Sequence, residues 1–388
     1  MNEILFTEIF PPRRGGSGRW FYEVYSRLPY KNTVVTDISD EEDELDATHP
    51  SEIVRIPFEM RETGAFSIKG FKNYLRLVRN LSEISSRDKI QLASAGRVVP
   101  EGWVLWIWKT FLSGPNYRVF AHGEEVNLDG RKSGGVMSSR QHRWMAKLVL
   151  RSAGEVIANS ENTARLLCEQ WKMAREKVRV VNPGVDTTQF YPADKTENTD
   201  TRHRWPNRFV LLTVGRLQRR KGQDNVIRAI AKLRTHIPEI LYVIAGDGED
   251  LEYLQSLVKE LNVKDHVHFE TSFDDKELVR LYQSCDLFVL ANRQVDSDIE
   301  GFGMVLLEAA SCAKPTITGI SGGTREAIEH GKTGLAIDAS DVAAIEKSII
   351  QLASDSNRRQ QMGQAGRERA VTQFDWSVAA KKITSLKC

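Results

Sequence analysis

Short apolar runs rich in Val, Ile and Phe recur along the chain, and segments with helical spacing of apolar positions follow them. Strands buried on both faces give continuous apolar runs, whereas the helices that cover them give the longer repeat. The alternation therefore predicts an α/β protein built from βαβ units with parallel sheets. The runs interpreted as strands are residues 3–10, 31–38, 117–123, 155–160, 178–186, 208–215, 240–246, 266–272, 286–292, 315–320 and 334–338.

A polar stretch, residues 192–207, interrupts this rhythm with many turn-forming residues and little apolar content. The pattern restarts at residue 208, so we interpret the stretch as a linker between two α/β halves. In the first half, Asn159 or Ser160 is a plausible N-cap for the helix that follows the strand over residues 155–160. A chain of 388 residues is long enough for two domains.

Charge and cysteine content exclude several classes of protein. Lys and Arg total 54 against 52 for Asp and Glu, so a general role in nucleic-acid binding gains little support. The four cysteines form no CxxC pair, which argues against a zinc site or a disulfide framework. The first ten residues lack the basic start of a secretory signal, and no run reaches the ~20 apolar residues of a membrane-spanning helix.

The segment at residues 102–114 contains three tryptophans in an apolar run. Such a segment is more often a buried helix than anything else. Tryptophan also favours membrane interfaces. With Arg13, Arg14, Lys69 and Lys72 in the same half, weak attachment to a membrane surface and a lipid-linked acceptor stay open as an interpretation.

Polar and glycine-rich segments follow several predicted strands, where ligands bind in open parallel sheets. The first half offers the glycine run at residues 15–18 and His122. The second offers GRLQRRKG at residues 215–222, AGDGED at 245–250 and EGFG at 300–303. The glycine run does not match GxGxxG and is equally compatible with a plain turn, and GRLQRRKG is not a P-loop.

Arg216 directly follows a predicted strand and Lys221 comes shortly before a predicted helix. Two fixed cations at a strand end can neutralise a diphosphate. Taken alone, a solvated basic loop is the commoner explanation. His122 has a similar alternative, since a histidine at a strand end can be hydrogen-bonded within the core.

EGFGMVLLEAA, residues 300–310, predicts a loop followed by a helix whose start favours an anion. Glu308 is a lone charge in an apolar run, and burying such a charge is costly unless it is paired. Its carboxylate suits the hydroxyls of a ribose, and Glu300 suits those of another sugar. The alternative for Glu308 is a helical acid paired with a nearby Arg or Lys. Phosphate, ribose and sugar sites in one segment together indicate a sugar-nucleotide site.

Five motifs in order resemble the GT-B-fold retaining glycosyltransferases, in particular family 4. They are FPPRRGGSGRW, VFAHGEE, VGRLQRRKGQD, IAGDGED and EGFGMVLLEA, with SGGTREAIEHGKTGLAID after them. The stretch from Asn292 to Ile328 is particularly similar to the phosphatidylinositol-mannoside mannosyltransferase branch. The resemblance implies two Rossmann-like domains facing each other across a cleft. It places an acceptor domain at residues 1–184, joined by a C-terminal helix at about 372–388, and a donor domain at 185–371.

The resemblance also implies roles for individual residues. Gly15 and Gly16 would contact the donor phosphates, Arg216 and Lys221 would bind the diphosphate, and Glu308 would hold the ribose. Glu300 and His122 would lie by the transferred sugar and, with the two cations, form the catalytic set. The other donor-binding residues implied are Asp247, Phe273, Gly301, Phe302, Gly303 and Met304. Ser17 departs from the family, where a branched apolar residue is commoner, and residues 193–206 match nothing in it.

The expected activity is transfer of a hexose, with retention of configuration and without a metal or other cofactor. The donor would be a nucleotide-diphospho-sugar, GDP-mannose slightly favoured over UDP-glucose, and the acceptor a glycan or lipid-linked hydroxyl. The setting would be cell-surface polysaccharide, lipopolysaccharide or glycolipid synthesis, in the cytoplasm or peripheral on the inner face of the cell membrane.

Three rival interpretations stay open from the sequence. Asp296-Ser297-Asp298 is literally a DxD, so the first rival is a metal-dependent GT-A transferase. The second is a sugar-nucleotide 2-epimerase on the same architecture, which would need no acceptor. The third is a binder that has kept the fold and lost the chemistry.

Overall fold

The computed structural model describes residues 1–13, 15–39, 43–60, 67–128, 136–193, 204–296 and 298–385. The chain divides into two compact units, Met1–Pro183 with Trp376–Cys388, and Gly184–Asp375. The described residues of the polar stretch 192–207 therefore lie inside the second unit, and its interpretation as the linker between halves is wrong. Residues 194–203 of the stretch lie outside the described residues. The chain passes between units beside Pro183, after a short strand rather than within the turn-rich segment.

The first unit is a doubly wound α/β layer structure. Its elements are β1 (Glu3–Thr7), α1 (Gly16–Tyr25), β2 (Asn32–Thr36), α2 (Asp43–Thr48), β3 (Glu52–Arg55), α3 (Ile68–Asp88), β4 (Leu92–Ala95), α4 (Glu101–Phe111), β5 (Asn116–Ala121), α5 (Arg140–Ser152), β6 (Glu155–Ala158), α6 (Glu161–Trp171) and β7 (Val178–Val180). Within the described residues these strands form a seven-stranded sheet of order β3-β2-β1-β4-β5-β6-β7. Every pairing between neighbouring strands is parallel. The strand order reverses between β1 and β4, which is where doubly wound sheets bind ligands.

The second unit repeats the architecture. Its elements are β8 (Phe209–Val214), α7 (Gln223–Leu233), β9 (Ile240–Ala245), α8 (Leu251–Glu260), β10 (Val267–Glu270), α9 (Asp275–Ser284), β11 (Leu287–Leu290), α10 (Met304–Ser311), β12 (Thr316–Gly319), α11 (Thr324–Ala327), β13 (Gly334–Ile337), α12 (Val342–Ala353) and α13 (Ser356–Gln373). Among the described residues the parallel sheet has six strands, in the order β10-β9-β8-β11-β12-β13. Its order reverses between β8 and β11. The last helix, α14 (Trp376–Thr384), belongs to the first unit and contacts α1.

Two strands of the first sheet, β3 and β4, were not predicted. Strand β4 reads Leu-Ala-Ser-Ala, and its small residues lack the β-branched and aromatic character on which strand prediction depends. Strand β3 lies at the sheet edge and begins with the exposed Glu52.

The predicted cap is confirmed at Ser160, whose side chain accepts a hydrogen bond from the Thr163 N–H at the start of α6.

A buried ionic network ties the strands of the first sheet together near the start of β1. The Glu3 carboxylate accepts hydrogen bonds from Arg118 (2.7 Å), Tyr25 (2.6 Å), Ser94 (2.6 Å) and Tyr30 (2.7 Å). Glu3 and Arg118 are almost wholly enclosed. Because a buried charge without its partner is strongly destabilising, this network favours the arrangement in which β4 lies between β1 and β5.

The tryptophan-rich segment forms α4, and Trp103 and Trp108 are buried against the first sheet. Trp103 stacks on Trp106 with ring centroids 4.5 Å apart. The expectation of a buried helix is therefore confirmed for these two side chains. In the parts of the chain described, no helix is both long and apolar enough to cross a membrane.

Candidate functional site

The loop after β8 carries the two predicted diphosphate cations to the point where the second sheet reverses. Residues Arg219–Lys221 form a 3₁₀ turn that ends at Gly222, whose φ is +76°. A side chain at Gly222 would put its Cβ 1.8 Å from the Ala291 carbonyl oxygen, just after β11. Glycine therefore permits the turn to lie directly against the end of β11.

The two cations differ in their surroundings. Lys221 is 8% exposed, and its Nζ lies 2.6 Å from Oε2 of Glu300. Arg216 is exposed, and within the described ranges its guanidinium has no recorded partner. Lys221 is thus held in place, whereas Arg216 is available to a ligand at the end of β8.

Glu300 is clamped by two cations. The same Oε2 that contacts Lys221 also accepts a hydrogen bond from Nη1 of Arg220. Burial acts to raise the pKa of Glu300, but the charges of Lys221 and Arg220 hold it below its ordinary value. The carboxylate is therefore ionised at neutral pH, and an ionised carboxylate can only accept hydrogen bonds.

The sequence did not identify Arg220 as a site residue. It stands between two other cations, and the pattern does not show which of the three contacts Glu300. Besides Glu300 it contacts Asp298, with Nε 3.0 Å from Oδ1. Asp298 belongs to the DxD tripeptide, whose central Ser297 lies outside the described residues. The backbones of Val295 and Asp298 hydrogen-bond to each other in both directions, and the Asp298 carboxylate lies against Arg220.

The segment over residues 300–310 is a loop followed by a helix, as predicted. Helix α10 begins at Met304 after Gly303, which has φ +84°. Phe302 is buried, with its ring centroid 5.9 Å from that of Phe374, while Gly301 is half-buried. The Phe302 side chain is thus held in the core, and the first N–H groups of α10 have no acceptor within the helix.

Glu308 lies on α10 and is half-buried. The hydroxyl of Tyr282, on α9, donates to its Oε2 at 2.6 Å. Burial raises the pKa of Tyr282 well above its ordinary value, and the charge of Glu308 adds to this effect. The tyrosine is therefore a permanent donor that orients the carboxylate. The sequence did not indicate it.

Asp247 and Phe273 follow neighbouring strands. Asp247 is exposed after β9, and its carbonyl accepts from the Leu217 N–H at 3.0 Å. Its carboxylate accepts from the Gly248 N–H at 2.8 Å, so it shapes the loop between β9 and α8. Phe273 follows β10 and packs against the core beside β8 and β9. Both lie at the carboxyl edge of the second sheet, as their strand positions require.

In the first unit, Gly15 and Gly16 lie at the start of α1. Gly15 occupies the N-cap position without a side-chain cap, and both glycines are exposed. The first N–H groups of α1 are thus open to an anion, in a ten-residue helix whose dipole favours negative charge there. This geometry is compatible with the phosphate contact expected for these glycines.

His122 follows β5 and lies among aromatic rings. Its Nε2 is 2.8 Å from the Gly96 carbonyl, which only accepts, so Nε2 carries the proton and Nδ1 is an acceptor. The rings of Trp20 and Phe21 meet it edge-on, at 5.5 and 5.8 Å. Burial lowers the pKa of His122 to about 4, and the charge of Arg97 adds to this lowering. The imidazole is therefore neutral at physiological pH.

A cluster of ionisable side chains beside His122 was missed entirely. Arg97 follows β4, Glu101 begins α4, and Glu124 and Glu125 follow His122 in a short 3₁₀ turn. Burial raises the pKa of Glu125 to about 8, against the opposing charge of Arg97. The HGEE motif contained the signal, but only the fold brings residues 97 and 101 to it.

The structure thus groups the predicted residues within each unit. Arg216, Lys221, Asp247, Phe273, Glu300–Met304 and Glu308 lie in loops and helix starts of the second unit. Gly15, Gly16 and His122 lie in the corresponding region of the first. Two doubly wound parallel sheets, each with predicted site residues near its reversal point, are typical of the GT-B class of glycosyltransferase fold.

Comparison with known families agrees with this class. The family model "Glycosyltransferase Family 4" matches residues 14–189, and "Glycosyl transferases group 1" matches residues 195–369. The chain belongs to the group 1, family 4 glycosyltransferases, and it is a hexosyltransferase enzyme. The GT-A alternative is wrong, because the chain folds as two Rossmann-like units.

Two curated relatives cover nearly the whole chain. One, from Mycobacterium tuberculosis, is 30% identical over 98% of this chain and 96% of its own length. The other, from Mycolicibacterium smegmatis, is 28% identical over 99% and 97%. Each is a "GDP-mannose-dependent alpha-(1-6)-phosphatidylinositol monomannoside mannosyltransferase".

Solved structures share the fold at lower identity. Anabaena Alr3699/HepE in complex with UDP gives a TM-score of 0.79 at 20% identity, covering 99% of this chain and 98% of that one. WaaG, a glycosyltransferase involved in lipopolysaccharide biosynthesis, gives 0.71 at 19% identity and covers both chains completely. These likenesses establish the architecture.

Proposed function

We propose that the enzyme transfers a hexose from a nucleotide-diphospho-sugar to a hydroxyl of a glycan or lipid-linked acceptor, with retention of configuration. The observation that carries the proposal is the contact of Glu300 with Lys221 and Arg220 at the reversal point of the second sheet. This contact supports the proposal because cations that suit a diphosphate lie next to a carboxylate that suits sugar hydroxyls. A role in polysaccharide, lipopolysaccharide or glycolipid synthesis follows from the names of the relatives.

The chemistry requires stabilisation of a leaving diphosphate. Lys221 and Arg216 supply positive charge, and the start of α10 adds its N–H groups and dipole. The bond between the anomeric carbon and the phosphate oxygen breaks, and the acceptor oxygen attaches on the same face of the sugar. The acceptor proton passes to the departing phosphate. The negative charge that develops on the departing phosphate is stabilised by Lys221, Arg216 and the N–H groups at the start of α10, which are already in position.

Glu300 orients the transferred sugar in this proposal rather than attacking it. Its carboxylate is stabilised by two cations, which lowers its nucleophilicity, and its Oε2 is already occupied. His122, neutral and with Nδ1 as an acceptor, binds a sugar hydroxyl rather than donating a proton. Glu308, oriented by Tyr282, accepts from the ribose hydroxyls.

We propose that no metal takes part. Asp298 is engaged by Arg220, and among the described residues no group of three or more His, Cys, Asp or Glu side chains could hold a metal ion. Retained activity in excess EDTA supports this, and loss of activity that Mg²⁺ or Mn²⁺ restores overturns it.

GDP-mannose is favoured slightly over UDP-glucose as donor, because both full-length relatives are GDP-mannose-dependent.

We also propose weak attachment to the inner face of the cell membrane through α3. Ile68, Phe71 and Leu75 lie on one face of this helix and are 80%, 61% and 43% exposed. Lys69 and Lys72 flank them, and such a face suits anionic lipids. Arg13 is instead paired with Asp37 at 2.9 Å, and Arg14 lies outside the described residues. Co-sedimentation with anionic vesicles tests this, with Phe71→Ser expected to reduce it and Phe71→Trp to retain it.

The experiment that tests the transferase proposal follows product formation. The protein is incubated with GDP-mannose, UDP-glucose or UDP-N-acetylglucosamine and a panel of octyl glycosides. Nucleoside diphosphate release and the glycoside product are measured, and the anomeric configuration is read by NMR. An α-linked product from an α-linked donor supports the proposal. An inverted product, or conversion of the free nucleotide sugar into an epimer without acceptor, contradicts it.

A further inference from the structure

The region where the first sheet reverses contains one arginine surrounded by carboxyl groups. Arg97 leaves the end of β4, and the charges that act on it come from Glu101 on α4, from Glu124 and Glu125 after β5, and from Glu8 after β1. Although burial acts to lower the pKa of Arg97, these carboxyl groups raise it. Elements from three neighbouring strands thus converge on a single guanidinium.

The Arg97 carbonyl accepts a hydrogen bond from the Gly102 N–H, but within the described residues its guanidinium forms no hydrogen bond or ion pair. Guanidinium groups in such surroundings normally pair with a carboxylate in two-point contact. Arg97 is half-buried. Its N–H donors lie near carboxyl groups but, among the described residues, form no hydrogen bonds with them. They are available to a ligand.

Glu101 provides an independent sign of a ligand. It is 0% exposed, and its Oε1 accepts from the Glu8 N–H at 3.2 Å. Its Oε2 is enclosed and has no hydrogen-bond partner in the described chain. The cation that acts most strongly on it is Arg97. An enclosed oxygen without a donor is costly, and a hydroxyl that donates to it removes that cost.

The charge balance defines the ligand's chemistry. Four carboxyl groups surround one cation, so a phosphate would meet more acceptors than donors and is disfavoured, even though the raised pKa of Glu125 keeps that carboxyl protonated at neutral pH. Carboxyl oxygens accept from hydroxyls, while the guanidinium donates to hydroxyl or ring oxygens. His122, which is assigned to the transferred sugar, lies on the same sheet edge, so the cluster adjoins the expected reacting centre. The set fits a neutral ring with several hydroxyls.

We propose that Arg97, Glu101 and Glu125 form a subsite that binds the hydroxyls of a neutral sugar ring of the acceptor. The inference rests on the proposed transferase function and specifies its acceptor. Glu125 is held beside the site by its bond from the His122 N–H, at 3.3 Å. A site of this kind selects a glycoside and discriminates against an acceptor phosphorylated on that ring.

The test compares neutral and phosphorylated acceptors. Octyl α-mannoside, octyl α-glucoside and octyl β-galactoside, and their 6-phosphates, are assayed with the nucleotide sugar that the protein binds. We expect transfer to at least one neutral glycoside, with kcat/KM at least tenfold above that of its 6-phosphate. Preferred use of a 6-phosphate, or no transfer to any glycoside, overturns the inference.

Variants then locate the subsite. Glu125→Ala and Arg97→Met are expected to raise the acceptor KM at least tenfold, with the donor KM within twofold of the wild-type value. Glu125→Gln, which keeps an acceptor oxygen, should stay within about threefold. Glu169→Gln, an exposed acid on α6 paired with Arg165, is the matched control. Unchanged acceptor KM in both Glu125→Ala and Arg97→Met overturns the inference.

Donor binding separates this result from failure of the proposed function. Each variant is checked by its melting temperature and by its Kd for the nucleotide sugar. If Arg97→Met does not fold, Arg97→Lys is used, because it keeps the charge but loses the two-point contact. If the wild-type protein binds no nucleotide sugar, the transferase proposal itself fails, whereas retained donor binding with unchanged acceptor KM refutes only the subsite.

Discussion

Lys221 and Glu300 meet at 2.6 Å at the reversal point of the second sheet, although 78 residues separate them along the chain. The sequence indicated separate ligands for the two, a diphosphate for the lysine and a sugar for the glutamate. The structure joins them in one ionic contact that includes Arg220. Binding of a donor must therefore exchange some of these contacts for contacts with phosphate, so the cost of that exchange is part of the donor affinity.

Replacing Lys221 removes a cation both from Glu300 and from the diphosphate that Lys221 is proposed to bind. We expect Lys221→Ala to lower kcat at least a hundredfold, since the leaving diphosphate loses a preorganised charge in an enclosed site. Steady-state kinetics with the accepted donor checks this. Lys232→Ala, an exposed lysine on α7 paired with Glu346, is the control and should leave kcat unchanged. Wild-type turnover in Lys221→Ala would refute the phosphate assignment.

Removing the Glu308 carboxylate tests its assignment to the ribose. The wild-type protein should bind its nucleoside diphosphate at least tenfold more tightly than the 2′,3′-dideoxy form, measured by calorimetry. In Glu308→Ala this ratio should fall to about one, because the hydroxyls lose their acceptor. Tyr282→Phe should give an intermediate ratio, since it removes the donor that orients the carboxylate. An undiminished ratio in Glu308→Ala contradicts the assignment.

The ionic network in the first unit predicts a large effect on stability. Arg118→Met leaves the Glu3 carboxylate enclosed without its cation, so the free energy of unfolding should fall by about 3–5 kcal/mol. Arg165→Met, which breaks the exposed pair with Glu169, should change it by less than about 1 kcal/mol. Denaturant unfolding at pH 7 measures both. Equal effects of the two variants would show that burial of the first pair is energetically unimportant.

Glu125 predicts a pH dependence of stability. Its pKa is raised to about 8 in the folded protein. At a pH between the pKa of the unfolded chain and this value, the folded state therefore holds a proton that the unfolded state has released. The stability that this group contributes is present at low pH and lost as the pH rises towards 8. Relative to Glu125→Gln, the wild-type melting temperature should therefore fall between pH 5 and 8. Parallel profiles for the two proteins would exclude a raised pKa.

Much of the fold was predictable because both sheets are parallel and buried on both faces. Strands such as Phe209–Val214 and Ile240–Ala245 give continuous apolar runs, and the loops after them carry the motifs. Strand β4 was missed because small residues give no such signal. The interpretation of residues 192–207 as the linker was wrong because a turn-rich composition marks loops within domains as well as those between them.

The candidate site was predictable only where its residues lie in local motifs. Glu300 and Glu308 share one segment, and Arg216 and Lys221 share another. Tyr282 binds Glu308 from 26 positions away, and Arg97 lies 28 positions from Glu125, so no local pattern distinguishes either residue from ordinary core or surface residues. Such contacts depend on strand order, which the sequence pattern leaves open.

The most direct test of the central claim is a thermal-shift comparison of wild-type protein and Lys221→Ala with nucleotide sugars, in the presence of EDTA. A ligand that binds only the native state at a hundred times its Kd stabilises it by about 2.7 kcal/mol. We predict that one nucleotide sugar, GDP-mannose first, raises the wild-type melting temperature in EDTA and that Lys221→Ala loses most of this shift. No shift with any nucleotide sugar, or an equal shift in the two proteins, would contradict the account.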